Sequence, residues 1–121
     1  MLAELPHGCP LHCPCCSNPA ELVRPAAGPT TEEWSRVFAG ATRLGVVHAQ
    51  LSGGEPLLRR DLAAIVERAT DAGVYTQLVT GGLGLTTARL NELTKAGRPV
   101  SSSLYRPPMP VSPSASQDVV R

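Results

Sequence analysis

Aromatic residues make up only 3% of the sequence, with one tryptophan, one phenylalanine and two tyrosines. So few rings leave little for stacking nucleic-acid bases or for lining a large aromatic pocket. There is no block of like charge, and the formal net charge is +1. No strong field therefore draws the chain to nucleic acid or to a membrane surface. No apolar run approaches the ~18 residues of a membrane span. The N-terminal "MLAEL" lacks the basic and long apolar regions of a secretory signal. Cysteine is absent after position 16: Cys9, Cys13, Cys15 and Cys16 are all there are. A disulfide framework would spread its cysteines out, and a zinc ribbon would place a second pair elsewhere. The expected compartment is a reducing cytoplasm, where clustered cysteines bind metal or do redox chemistry more often than they pair.

What is present is an alternation. The 121 residues are one domain at most. "LAEL" (2–5) fits a short buried strand. "GPTTEEWSRVFAGATRLG" carries a helix signature: Thr30 can cap it, Glu33 can close a capping box, and Glu32 and Glu33 lie in the positive first turn. Trp34, Val37, Phe38, Ala41 and Leu44 share one helical face, and Gly45 suits the left-handed stop. "VVHAQL" (46–51) reads as a parallel strand buried on both faces. A second helix is predicted over 61–72, with Leu62, Ile65, Val66 and Ala69 inward and Gly73 after it. "VYTQLVT" (74–80) is a third strand. Thr86 opens a third helix, with Leu90 and Leu93 inward and Gly97 as its stop. Strands separated by helices of this length predict an α/β fold, with a parallel sheet or part of a (β/α) barrel.

After Gly97 the pattern fails. Residues 98–121 hold five prolines and six serines. Proline cannot donate to a ladder, so no central strand is predicted there. The composition is that of an extended or disordered tail. The folded unit is expected to end near residue 97, with 98–121 as a separate tail.

Cys9, Cys13 and Cys16 form C-x3-C-x2-C on the loop after the first strand. Three thiolates on a short loop can hold three corners of a cubane iron–sulfur cluster, leaving one iron open to a ligand. Pro10, Pro14 and Pro19 restrict the loop. Two other readings fit the same spacing: zinc with His7 or His12 joining the thiolates, and a redox dithiol of Cys13 and Cys16. Cys15 is the spare thiol. "SGGEP" (52–56) follows the second strand. There Gly53 and Gly54 permit close approach and positive φ, and Glu55 offers a carboxylate to an ammonium group. "TGG" (80–82) follows the third strand, where Thr80 can hydrogen-bond a ligand. All three features fall at the carboxyl ends of successive strands, the edge where parallel α/β folds bind ligands.

Together these residues resemble the radical S-adenosylmethionine (SAM) superfamily. Cys9, Cys13 and Cys16 match its cluster motif, and Gly53, Gly54, Glu55 and Pro56 match the turn that holds the methionine amino group. The resemblance implies a 4Fe–4S cluster whose open iron chelates SAM. One electron then cleaves the sulfonium to a 5′-deoxyadenosyl radical, which abstracts hydrogen from a substrate. "CPL-CP-CSNP-EL", "TTEEW", "SGGEPLLRRDL" and "GLT-ARL" are similar to the subgroup that cyclises a precursor peptide in pyrroloquinoline quinone (PQQ) biosynthesis. That subgroup implies a carbon–carbon link between a glutamate side chain and a tyrosine ring. It also implies a small peptide-chaperone protein and an electron donor such as a flavodoxin. Other radical SAM enzymes that mature peptides or cofactors, and a non-catalytic metal-binding fragment, are the alternatives.

The resemblance covers about residues 2–97. It implies the N-terminal half of a partial (β/α) barrel, about three βα units. It lacks the later units and the cysteines of auxiliary clusters, which suggests a frameshifted or truncated reading frame. An open half-barrel is expected to expose the edge of the third strand and to have weak activity alone. Cys15 stands where the family has an aromatic residue beside the SAM adenine, which leaves only its backbone to make a contact. Pro6 and Gly8 replace a hydroxyl and a basic residue. No substrate acid or base is assigned; His48, inside a strand, reads as a packing residue.

Overall fold

A computed structural model describes residues 1–6, 8–11 and 28–97, together with the backbone of 101–104. The elements in chain order are β1 (Leu2–Glu4), α1 (Thr31–Arg43), β2 (His48–Ser52), a single 3₁₀ turn (Pro56–Leu58), α2 (Leu62–Asp71), β3 (Tyr75–Thr80), α3 (Thr87–Ala96) and β4 (Ser101–Leu104). The strands form one sheet in the order β1-β2-β3-β4, and every adjacent pair is parallel. No helix among the described residues is long and apolar enough to cross a membrane.

Local chemistry sets the helix limits. Thr30 Oγ1 accepts from the Glu33 amide, and the Glu33 carboxylate accepts from the Thr30 amide at 2.7 Å, closing the expected capping box. The hydrogen bond from the Thr30 backbone is the main cause holding the Glu33 carboxyl below its ordinary value. At the other end, Gly45 takes φ +84°, and the Val46 amide reaches back to the Ala41 carbonyl at 3.0 Å. Gly73 repeats this after α2 at φ +80°, with Val74 bonding back to Ala69. Each glycine thus turns the chain straight from a helix into the next strand.

The core lies on one face of the sheet. Ala3, Leu5, Ala49, Leu51 and Leu78 meet Trp34, Phe38, Leu62, Ile65, Val66, Ala69 and Leu93 of the helices in one buried cluster. The whole expected inward set of α2 is buried. The outer helices differ from expectation. On α1, Trp34 and Phe38 are buried, but Val37 and Leu44 are exposed; on α3, Leu93 is buried and Leu90 is exposed. Only α2 is flanked by a helix on both sides among the described residues, so apolar positions on the outer flanks of α1 and α3 have no partner. Leu44 is the C-cap of α1 and lies past its last turn.

Strand β2 departs from expectation in the same way. Ala49 and Leu51 are buried while Gln50 and Val47 are exposed, so one face is covered and not two. All three helices occupy a single face. On the other, Gln50 Nε2 donates to Gln77 Oε1 at 3.3 Å, and the His48 and Tyr75 rings sit 5.4 Å apart. His48 does pack, but against Tyr75 on this open face. In a (β/α) barrel that face lines the interior.

Strand β4 carries the sheet past the limit near residue 97 suggested by composition. Ser101–Leu104 pairs with Gln77–Thr80, so the edge of β3 expected to be exposed is covered. The four residues lie between Pro99 and Pro107 and contain no proline. An edge strand tolerates prolines on its flanks, and its ladder comes from backbone groups that polar side chains do not remove. The remainder of the expected tail, residues 98–100 and 105–121, lies outside the described residues.

Candidate functional site

The loops after β1, β2 and β3 meet at the carboxyl ends of their strands. The β1–β2 ladder does not stop with the strands. Leu5 donates to Ser52, Gly54 donates to the Pro6 carbonyl at 2.8 Å, and Glu55 donates to the Gly8 carbonyl at 3.1 Å. This extended pairing seats the Gly-Gly-Glu turn against the first part of the cysteine loop. Gly53 adopts φ +125°. An added Cβ on it would strike the Pro6 carbonyl, and one on Gly54 would strike the Gly8 carbonyl and lie 3.0 Å from the Cys9 amide. The close approach that the two glycines permit is therefore to backbone of the cysteine loop.

Glu55 is 1% exposed, so it is no solvated turn acid. Its Oε1 accepts from the Leu57 amide at 3.0 Å and from the Thr80 hydroxyl, and its Oε2 accepts from the Gly81 amide at 2.8 Å. Two carboxylate oxygens offer about four acceptor positions. Among the described residues three are used, two on Oε1 and one on Oε2. Thr80 Oγ1 in turn accepts from the Gly82 amide at 3.0 Å. The side chains of Glu55 and Thr80 thus join the β2 loop to the β3 loop. Pro56 is buried beside them at the start of the 3₁₀ turn, where its missing N–H costs nothing.

The third loop closes the arrangement. An added Cβ on Gly81 would lie 2.6 Å from Leu11 Cδ1 and 3.3 Å from Glu55 Oε2, so the cysteine loop also lies over the β3 loop. Cys9 is half-buried, with Sγ 3.7 Å from the Leu11 carbonyl. The structure thus brings Cys9, Gly53, Gly54, Glu55, Pro56 and Thr80 to one rim. Cys13, Cys15 and Cys16 lie outside the described residues, as do His7 and His12. Among the described residues, no group of three His, Cys, Asp or Glu side chains could hold a metal.

Leu11, Arg59 and Asp61 were given no role from sequence, yet all three lie at this rim. Arg59 and Asp61 form an ion pair at 2.7 Å, and the Asp61 carboxyl is held from its ordinary 3.8 down to about 2, chiefly by the hydrogen bond from Arg59. The available signal was an arginine two residues before an aspartate at a helix start, which is too common to act on alone.

A sequence profile of the radical SAM superfamily matches residues 4–104. The chain belongs to the radical SAM superfamily. Within that superfamily it is 56% identical over 97 residues to a PqqA peptide cyclase of Rhizobium meliloti (strain 1021), and 53% identical over 97 residues to one of Streptomyces rochei. Each alignment covers 80% of this chain and 26% or 27% of the relative. The chain therefore spans about a quarter of the length of these curated relatives. Among solved structures, it superposes on Streptococcus suis SuiB bound to precursor peptide SuiA with a TM-score of 0.70, at 17% identity over 84% of this chain and 22% of that one. It superposes on BtrN in complex with AdoMet and 2-DOIA with a TM-score of 0.68, at 23% identity over 79% of this chain and 41% of that one. These two likenesses establish the fold, a mixed α/β arrangement on a parallel sheet.

Radical SAM proteins bind a 4Fe–4S cluster and S-adenosylmethionine. The chain's donor set fits the pair. Thiolates are the ligands of cubane clusters, and Cys9 stands on the rim beside the Gly53–Gly54 turn. Among the described residues, Glu55 has three partners for about four acceptor positions, a carboxylate chemistry that suits an ammonium group.

Proposed function

We propose that this chain carries the cluster- and SAM-binding part of an enzyme that links glutamate and tyrosine side chains of a precursor peptide in PQQ biosynthesis. The observation that carries the reading is the convergence of Cys9, the Gly53–Gly54 turn and the Glu55–Thr80 pair on one rim. The 47–56% identity to PqqA peptide cyclases over 97 residues gives it its substrate class. Cys9, Cys13 and Cys16 would hold the cluster. Gly53, Gly54, Glu55, Pro56, Thr80 and the backbone of Cys15 would hold SAM. Bound together, cluster and SAM supply one-electron chemistry that ends in hydrogen abstraction from the substrate.

The chain's own residues bind and orient. Glu55 Oε2 would accept from the methionine ammonium in a charge-assisted hydrogen bond. Thr80 and the amides of Leu57 and Gly81 fix the carboxylate so that this acceptor position is set before the ligand arrives. Gly54 holds the Cys9 backbone against the same turn, so that thiol and carboxylate share one rigid frame. The lineage further implies a small chaperone protein that presents the peptide and an electron donor such as a flavodoxin.

Anaerobic reconstitution with iron and sulfide tests this reading. The expected result is about four iron atoms per chain with cluster absorption, lost in Cys9→Ala, Cys13→Ala or Cys16→Ala and kept in Cys15→Ala. A tetrahedral zinc site with no cluster absorption would overturn it.

A further inference from the structure

The guanidinium of Arg59 holds both ends of the cysteine-bearing loop. Its Nη1 donates to the Leu5 carbonyl at 3.2 Å, where β1 gives way to the loop. Its Nη2 donates to the Pro29 carbonyl at 2.9 Å, just before α1 begins. Those two carbonyls flank residues 6–28, which contain all four cysteines. The loop ends also meet directly: an added Cβ on Gly28 would lie 2.9 Å from the Leu5 carbonyl oxygen and 3.5 Å from Arg59 Nη1.

The guanidinium is itself fixed from behind. Nε donates to Asp61 Oδ1 at 2.9 Å and Nη2 to Asp61 Oδ2 at 2.7 Å, a two-point pair. Thr31, the first residue of α1, donates its hydroxyl to Asp61 Oδ2 at 2.8 Å. The Arg59 backbone carbonyl accepts from Arg89 Nη2 at 2.7 Å, which ties the residue to α3. Four contacts from one planar fork reach two carbonyls and one carboxylate. A lysine ammonium on its flexible stem cannot reproduce that span.

The geometry points to Arg59 as a clasp that closes the cysteine loop before any metal binds. Bringing the ends of a long loop together costs entropy that grows with its length. With the ends held at Leu5, Gly28 and Pro29, part of that cost is offset by contacts of the protein's own residues. Arg59 is thus a positioning residue for the ligands Cys9, Cys13 and Cys16, acting through the loop ends and making no contact with Cys9, the one thiol among the described residues. Its bearing on the cluster rests on the proposed function; the closure itself does not.

Hydrogen exchange read by mass spectrometry on the metal-free full chain tests the clasp, comparing wild type, Arg59→Lys and Arg59→Gln. Peptides covering the loop ends, 2–6 and 28–34, should exchange about tenfold faster in both variants, the loss of one charge-assisted hydrogen bond, while β3 and α3 keep wild-type rates. Equal exchange at the loop ends overturns the clasp, and so does an increase spread evenly into β3 and α3. Iron loss to a chelator from the reconstituted chain should be about tenfold faster in Arg59→Lys; unchanged loss overturns the bearing on the cluster. A wild-type chain that takes up no iron refutes the proposed function, and the exchange rates still decide the clasp.

Discussion

Where β2 and β3 begin, Gly45 and Gly73 turn the chain at positive φ, and an added Cβ at either would meet nothing within 4 Å. Where the same strands finish, a Cβ on Gly54 would strike backbone, and one on Gly81 would press on the Leu11 side chain. At the amino rim the glycines supply a backbone conformation in open space. At the carboxyl rim they supply space: the β2 turn must touch the backbone of the cysteine loop, and Leu11 must lie over the β3 turn. That second rim also holds the buried Glu55 carboxylate and the Arg59–Asp61 pair. One end of the sheet only redirects the chain, and the other fixes three loops to one another.

The largest break in this contrast is Gly54→Ala. The atoms that its methyl would strike are backbone of Gly8 and Cys9, which no rotamer change can clear. Destabilisation of about 3 kcal/mol is expected, at the upper end of overpacking costs. Urea unfolding measures it, and iron uptake should fall with it. Glu55→Gln comes next. An amide in place of one carboxylate oxygen puts a donor against the backbone N–H of either Gly81 or Leu57. A buried unpaired donor costs about 2 kcal/mol, measured in the same way. Gly45→Ala should cost about 1 kcal/mol, the left-handed penalty alone, and leave iron uptake at the wild-type level. A Gly45→Ala cost equal to that of Gly54→Ala would remove the distinction between the rims.

The smallest effect belongs to Asp61. Its carboxyl titrates near 2 when folded, below the ordinary 3.8. The stabilisation it gives is complete above about pH 4 and is lost as pH falls towards 2. Its side chain is 39% exposed, so solvent screening keeps the effect below about 1 kcal/mol. Asp61→Asn should flatten stability over that pH range; an unchanged acid slope contradicts the Arg59 pairing.

How much of this was legible in the sequence depends on range. The capping box at Thr30 and Glu33 and the stops at Gly45 and Gly73 are set by neighbours within a turn, and the residues alone reveal them. The inward set of α2 was legible because that helix is enclosed on both sides. Val37 and Leu90 misled because their burial depends on a neighbouring helix that periodicity cannot supply. β4 was hidden by a run of serines between prolines, since a parallel edge ladder needs backbone and not apolar side chains. The rim features were each visible as motifs. The cage around Glu55 was not, because its Thr80 and Gly81 partners lie 25 and 26 residues away. Arg59 was hidden for the same reason, with Leu5 and Pro29 distant in sequence and reached only through the fold.

Equilibrium dialysis of SAM against the iron-loaded chain tests the central claim most directly. Saturable binding by wild type and by Gly45→Ala is the predicted result, with affinity about tenfold weaker in Glu55→Ala for the loss of a hydrogen bond to a charged group. Binding by Glu55→Ala as tight as that of wild type would contradict the account.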